Sequence, residues 1–262
     1  MLYLFPDYFD YTKCSSYVQF YSCEDLIIRA EASYHDNGDW YYFTSPHIDA
    51  IATQGETSIS SVANGLVAIF NGVNFLLHGS PRFGLIPITF DKYSTSLLVD
   101  EGTILPNEFD ENPFKAPIIT TDSHVFRSLS KEGELFKLAR ENVDVRELLI
   151  LIGLTRKSHQ IKTYLETINS WSSLYKIYDS LRYYYIKHEK ITEKDNLCKN
   201  EQVDRFHRVC NSWHSIGINN RHGQKSGDNN NSKITMKLDE AIELFYKEIK
   251  NYIRAVYPTL LF

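Results

Sequence analysis

The chain has 262 residues, of which 43% are hydrophobic and 23% charged, with a formal net charge of −5. That length and composition suit a soluble globular protein with one large core or two small ones. The acidic balance excludes a global basic field that would draw in nucleic acid, so any such contact has to be local.

The N-terminal stretch MLYLFPDYFD lacks a basic n-region and a sustained apolar run, so no secretory signal is expected. No stretch is apolar for long enough to span a bilayer, and Leu148 to Leu154 reads as a buried helix segment. Cys14, Cys23, Cys198 and Cys210 show no CxxC spacing and are expected as free thiols in a cytoplasmic protein.

In chain order, Tyr17 to Tyr21 reads as a strand. Leu26 to Tyr34 and Trp40 to Phe43 read as a hairpin closed by Asp36-Asn37-Gly38. From Ser58 to Leu77 the period changes. Ile59, Val62, Ala63, Leu66, Ile69, Phe70 and Val73 recur at helical spacing, with Asn71-Gly72 expected to end the regular part. Residues 79–87 are turn-rich, and Pro87 to Phe90 and Ser94 to Val99 read as a second strand pair. Pro106, Pro113 and Pro117 among acidic residues mark 106–122 as a linker.

Beyond it the pattern is helical, with segments from Gly133 to Glu141 and Val143 to Leu154 and a polar break at residues 155–158. Ser170 reads as an N-cap for a helix to His188, striped by Leu174, Tyr178, Leu181 and Tyr185. Residues 189–200 read as a charged loop and 225–233 as a mobile one. A last helix is expected from Leu238 to Tyr257, ended by Pro258. The fold class expected is thus an α+β N-terminal module over 1–105, the linker 106–122, and an all-α helical domain over 123–262.

One stretch concentrates candidate chemistry. DRFHRVCNSWHSIGINNRHG, residues 204–223, holds Arg205, His207, Arg208, His214, Arg221 and His222. Arg208 and His214 have the form R-x5-H, and on one helix they would lie nearly two turns apart on adjacent faces. A guanidinium can hold phosphoryl oxygens while an imidazole moves a proton, which suits RNA cleavage through its own 2′-hydroxyl without a metal. Arg205, His207, Asn211 and Lys225 are the substrate-binding candidates beside it. The spacing is weakly specific, since Arg29 with His35 and Arg182 with His188 repeat it.

On Arg208 and His214 the helical part resembles the HEPN superfamily, all-helical domains whose ribonuclease members carry R-x4-6-H. The resemblance would cover roughly 123–257. It implies that Arg208 and His214 are catalytic across a homodimer, although Val209 stands where that superfamily often has a polar residue. A second resemblance rests on Trp171 to Tyr178, Asn211, Gly217, the Arg221-His222 pair and the helix opening Leu238-Asp239-Glu240-Ala241. It is to a group of uncharacterised bacterial proteins with an α+β N-terminal part and a helical C-terminal part. It implies no activity, but it directs attention to Arg221 and His222 as a ligand-facing pair or a buried hydrogen-bonding knot.

Cys198, His207, Cys210 and His214 match no usual zinc framework, and no metal or cofactor is expected. Tyr175, Tyr178, Tyr183, Tyr184 and Tyr185 could stack on bases but suit a helix interface better. Two functions are carried forward. The leading one is a metal-independent RNA endonuclease of HEPN type in a toxin or defence setting, with His214 as general base, Arg208 as phosphate clamp, and Arg221 and His222 as supporting donors. The other is a non-catalytic interaction or sensor module for a protein partner or small ligand.

Overall fold

A computed structural model describes residues 2–6, 23–32, 39–54, 56–78, 87–92, 95–97, 110–116, 131–154, 164–212, 215 and 234–259. The strand expected at Tyr17 to Tyr21, the turn at 36–38, the break at 155–158 and the loop at 225–233 lie outside them. The chain divides into two compact units, Met1–Gly153 and Leu154–Phe262.

In the first unit the backbones of β1 (Leu2–Pro6), β2 (Ile27–Ala32), β3 (Asp39–Thr44), β4 (Pro87–Lys92) and β5 (Thr95–Leu97) pair antiparallel in the order β2-β3-β1-β4-β5. The helices are α1 (Pro46–Asp49), α2 (Glu56–His78), α3 (Lys131–Glu141) and α4 (Val143–Leu154). The expected fold class is corrected here. The described structure is mostly helical, with eight helices, and no self-contained α+β module closing near residue 105 is seen. The first unit runs past residue 105 to Gly153 and takes in α3 and almost all of α4.

The physical reason lies in α2. Beyond the expected stripe it also buries Val67, Ala68, Phe75 and Leu76, with Asn71 and Asn74. It is apolar around most of its circumference, so it must be covered on more than one side. One sheet face covers a single side, and α3 and α4 pack on it as well.

Gly72 does not end α2. It lies where α2 meets α4 backbone to backbone, and a Cβ there would collide with the Leu149 carbonyl. Gly153 is its counterpart, because a Cβ there would strike the carbonyl of Ala68. Residues 110–116, expected inside the linker, are docked on α2. The Asp110 N–H donates to the Ser61 carbonyl at 3.0 Å, and Pro113 abuts Gly65.

The unit is pinned by a buried ionic centre. Asp25 is 2% exposed and accepts from Arg140 Nη1 at 2.9 and 3.0 Å through its two oxygens. It also meets His47 Nε2 at 2.9 Å, and His47 Nδ1 takes the Ala116 N–H at 2.9 Å. Ser45 caps α1 by accepting from the His47 N–H, with Pro46 opening the helix, and so fixes where His47 stands. Burial, with the Asp25 charge next in weight, pushes the Cys23 thiol up to about 12.

The second unit holds α5 (Tyr164–Lys187), α6 (Ile191–Lys199), α7 (Glu201–Cys210) and α8 (Leu238–Val256). Ser170 is not an N-cap, since α5 begins at Tyr164 and runs straight through it. The expected stripe of Leu174, Tyr178, Leu181 and Tyr185 is buried, as are Tyr175 and Tyr184. An aromatic spine joins the helices: Trp171 stacks on Phe206, Phe206 meets Phe245 edge-on at 4.6 Å, and Tyr185 meets Tyr252 at 5.1 Å. On α8 the apolar face expected from the sequence is buried at Ala241, Ile242, Phe245, Ile249, Tyr252 and Ile253.

The expected loop at 189–200 is largely α6, a helix with Leu197 as its buried apolar residue. Glu189 makes the reversal into it at φ 57. Its N–H donates to the Ile186 carbonyl at 3.0 Å, and the Lys190 N–H donates to the Tyr185 carbonyl at 2.7 Å. That pair of bonds is a Schellman motif with glutamate in the left-handed position that glycine fills most easily.

Two substitutions test these geometries by chemical denaturation. Gly72→Ala is expected to cost about 2–3 kcal/mol, because backbone rather than a flexible side chain must shift. Glu189→Gly is expected to stabilise by roughly 0.5–1 kcal/mol, the left-handed penalty less the added entropy of the unfolded chain.

Candidate functional site

Within the second unit, the end of α6, the outer face of α7 and the segment leading into α8 enclose an open groove of about 690 Å³. Its walls are Cys198 and Lys199, then Glu201, Gln202, Asp204, Arg205 and Arg208, then Ile234 and Thr235. The pattern of α7 explains the placement. Val203, Phe206, Val209 and Cys210 are buried against the neighbouring helices, which turns the intervening charged positions outward. Asn200 sets the corner between α6 and α7: its Oδ1 accepts the Gln202 N–H at 2.9 Å and its Nδ2 donates to Glu248 Oε1 at 3.0 Å.

The candidate residues divide sharply. Arg208 is 58% exposed on the groove, with Nη2 at 2.8 Å from Asp204 Oδ2 one turn back. Arg205 lines the same groove but is tied inward. It donates to the Thr235 carbonyl and to Gln202 Oε1, and stands 3.6 Å from Glu240. His207 faces the other way, with its ring 5.9 Å from Tyr175 and 5.8 Å from Tyr178. Asn211 closes the helix end, its Nδ2 donating to the His207 carbonyl at 2.8 Å. His214, Arg221, His222 and Lys225 lie outside the described residues.

The helix geometry expected for R-x5-H is corrected. Arg208 sits in the last turn of α7, which ends at Cys210 with Asn211 as its C-cap. Ser212 is no longer helical, so Arg208 and His214 do not share one continuous helix. The cysteines are also separated: Cys198 is exposed at the groove and Cys210 is buried in the core. Among the described residues no group of His, Cys, Asp or Glu is placed to hold a metal ion, and no helix is long and apolar enough to cross a membrane.

The groove residues missed from sequence include Lys199, Glu201 and Gln202, on a segment read as loop or left unassigned, and Ile234 and Thr235 ahead of α8. The Asn200 corner, Asn-Glu-Gln ahead of the Val203 and Phe206 spacing, is an N-cap signal that could have placed the first three. The Asp25, His47 and Arg140 centre has no local motif, since its members are separated by 22 and 115 residues.

With this geometry in hand, comparison with known proteins adds no family. No family model, no curated protein and no solved structure matches the chain.

Glu248, which holds the groove corner, carries a pH signature. Burial raises its carboxyl above the ordinary range, opposed by hydrogen bonds from Asn251 and Asn200. The folded state therefore holds that proton more tightly than the unfolded chain. The resulting stability is present at acid pH and is lost as pH rises through the raised value. Glu248→Gln keeps an acceptor for Asn200 and removes the charge. Its urea midpoint at neutral pH is expected to exceed that of the parent by an amount equivalent to roughly half a kcal/mol after solvent screening, with the two curves converging toward pH 4.

Proposed function

We propose that the second unit is a non-catalytic recognition module whose α6–α7 groove receives a charged segment of a protein partner. The observation that carries this reading is the Arg208–Asp204 pair on an open wall. Lys199, Arg205 and Arg208 line the groove together with Glu201 and Asp204, so it carries both signs. A polyanion laid along it would meet carboxylates as well as cations, and like-charge juxtaposition opposes that partner. A polypeptide bearing both signs can pair with both. The internal bonds of Arg205 keep the wall rigid, which lowers the ordering cost of binding.

A second reading keeps the metal-independent RNA endonuclease of HEPN type, acting as a dimer in a toxin or defence setting. What favours it is the exposure of Arg208 at the end of α7, just before the segment that carries His214. An exposed pair such as Arg208–Asp204 is worth under about 1 kcal/mol, so a phosphate could displace Asp204. In that reading Arg208 clamps the phosphate, His214 is the general base, and Arg221 and His222 support them.

The two separate in one set of assays on the full chain. An array of mixed-charge peptides should yield ligands whose binding falls at least about tenfold with Arg208→Glu and recovers in part with Asp204→Lys added. RNA incubated in EDTA should stay intact. RNA breakage in EDTA that is lost with His214→Ala would overturn the recognition reading and establish the nuclease. Loss with His222→Ala instead would move the chemistry to the Arg221-His222 pair.

A further inference from the structure

The first unit contains a buried imidazole that bridges Asp25 and the Ala116 amide and that neither functional reading uses. The Asp25 carboxylate is bound to Arg140 through both oxygens and is 2% exposed, so it acts as an acceptor. His47, fully buried, must therefore donate from Nε2 across the 2.9 Å contact to Asp25 Oδ1. Its Nδ1 lies 2.9 Å from the Ala116 amide nitrogen, whose N–H points at it, so Nδ1 must present a lone pair. Both partners together allow a single state, the neutral imidazole with its proton on Nε2.

A second proton has nowhere to go while residues 110–116 stay in place. On Nδ1 it would face the Ala116 N–H, replacing a hydrogen bond with two opposed donors. It would also add a positive charge to a buried cluster in which Asp25 is already paired with Arg140. The other groups around the site do not remove that cost. Glu24, 3.7 Å from Arg140, is partly exposed and offsets it only in part. Cys23 is a neutral buried thiol. Arg146 of α4 stands behind Phe114, 6.0 Å from its ring, and adds positive charge. On the segment itself Lys115 is paired with Asp110 at 2.7 Å, and α1 contributes Asp49.

We propose that residues 110–116 form a proton-operated strap, held shut by neutral His47 and released when that imidazole takes a second proton. Among the described residues the strap is seated, besides the latch, by the Asp110 N–H on the Ser61 carbonyl, Pro113 against Gly65, Phe114 edge-on to the His47 ring at 5.3 Å and Arg146 over the Phe114 ring. Its release uncovers the Gly65 face of α2 and the α1 turn, while Asp25 and Arg140 remain paired. The device is regulatory, converting a fall in pH into exposure of a surface that is closed at neutral pH.

Hydrogen exchange of the full chain, corrected for the pH dependence of intrinsic exchange, reads the strap directly. Strap amides should open about tenfold more at pH 5.5 than at pH 7.5, while amides in the middle of α2 stay protected. His47→Asn keeps an acceptor toward Ala116 in a side chain that does not titrate, and should flatten the response. Ala116→Pro removes the latched N–H and leaves His47 in place. Amides 110–115 should then exchange equally at both pH values, which keeps the test decisive if His47→Asn fails to fold. A strap that does not respond to pH, one that opens only in step with α2, or a variant that retains the wild-type response would each overturn the proposal.

Discussion

The first unit depends on one buried carboxylate. Asp25 lies between the Arg140 guanidinium and the His47 imidazole, and through them it joins the 23–26 segment, α1, α3 and, by way of Ala116, the 110–116 segment. A carboxylate taken out of water is costly unless paired and hydrogen-bonded, and here both conditions are met by groups far apart in the chain. The arrangement specifies more than it stabilises. Removing one partner would strand the others, so segments far apart in the chain are tied to one another. The glycines at 72 and 153 impose a comparable demand in steric form, since α2 and α4 can approach so closely only where no Cβ intervenes.

These constraints explain which elements were legible in the sequence. The spacing of Ile59 to Val73, the apolar run of Leu148 to Leu154 and the stripe of α8 follow from local periodicity, and all three are helices with those faces buried. Asn71-Gly72 looked like a helix end because a glycine after a periodic run usually is one. The use of Gly72 as a contact with Leu149 is a tertiary fact that spacing cannot express. Residues 189–200 looked like a loop because a short helix with one buried leucine has almost no period, and its start is set by Glu189 at positive φ rather than by a glycine. The prolines that suggested a linker mark a segment whose Pro113 is packed against Gly65. Pro content signals irregular backbone, whether free or docked.

The candidate site was legible as a cluster of residues and illegible as a geometry. Counting along the chain placed Arg208 and His214 on one helix, but the Asn211 side chain closes α7 by bonding the His207 carbonyl and the helix stops there. The same turn separates neighbours that looked equivalent. Arg208 points to solvent, Arg205 is engaged with Thr235 and Gln202, and His207 lies against two tyrosines. A side chain's direction on a helix depends on which face the core claims. On α7 the core claims Val203, Phe206 and Val209.

That division bears on the recognition role proposed for the groove. Arg208 and Asp204 form an exposed pair one turn apart, which contributes little to stability and yields readily to a better-placed partner. Either class of ligand could therefore displace it, and the wider field discriminates between them. An RNA backbone carries one sign along its length, so each phosphate placed near Arg208 or Lys199 brings another toward Glu201 or Asp204. A peptide can reverse its charge from one residue to the next and satisfy both walls at once. On the proposed recognition reading, specificity would be set by what the carboxylates repel as much as by what the arginines attract, and the acidic residues of α7 would belong to the site as much as Arg208.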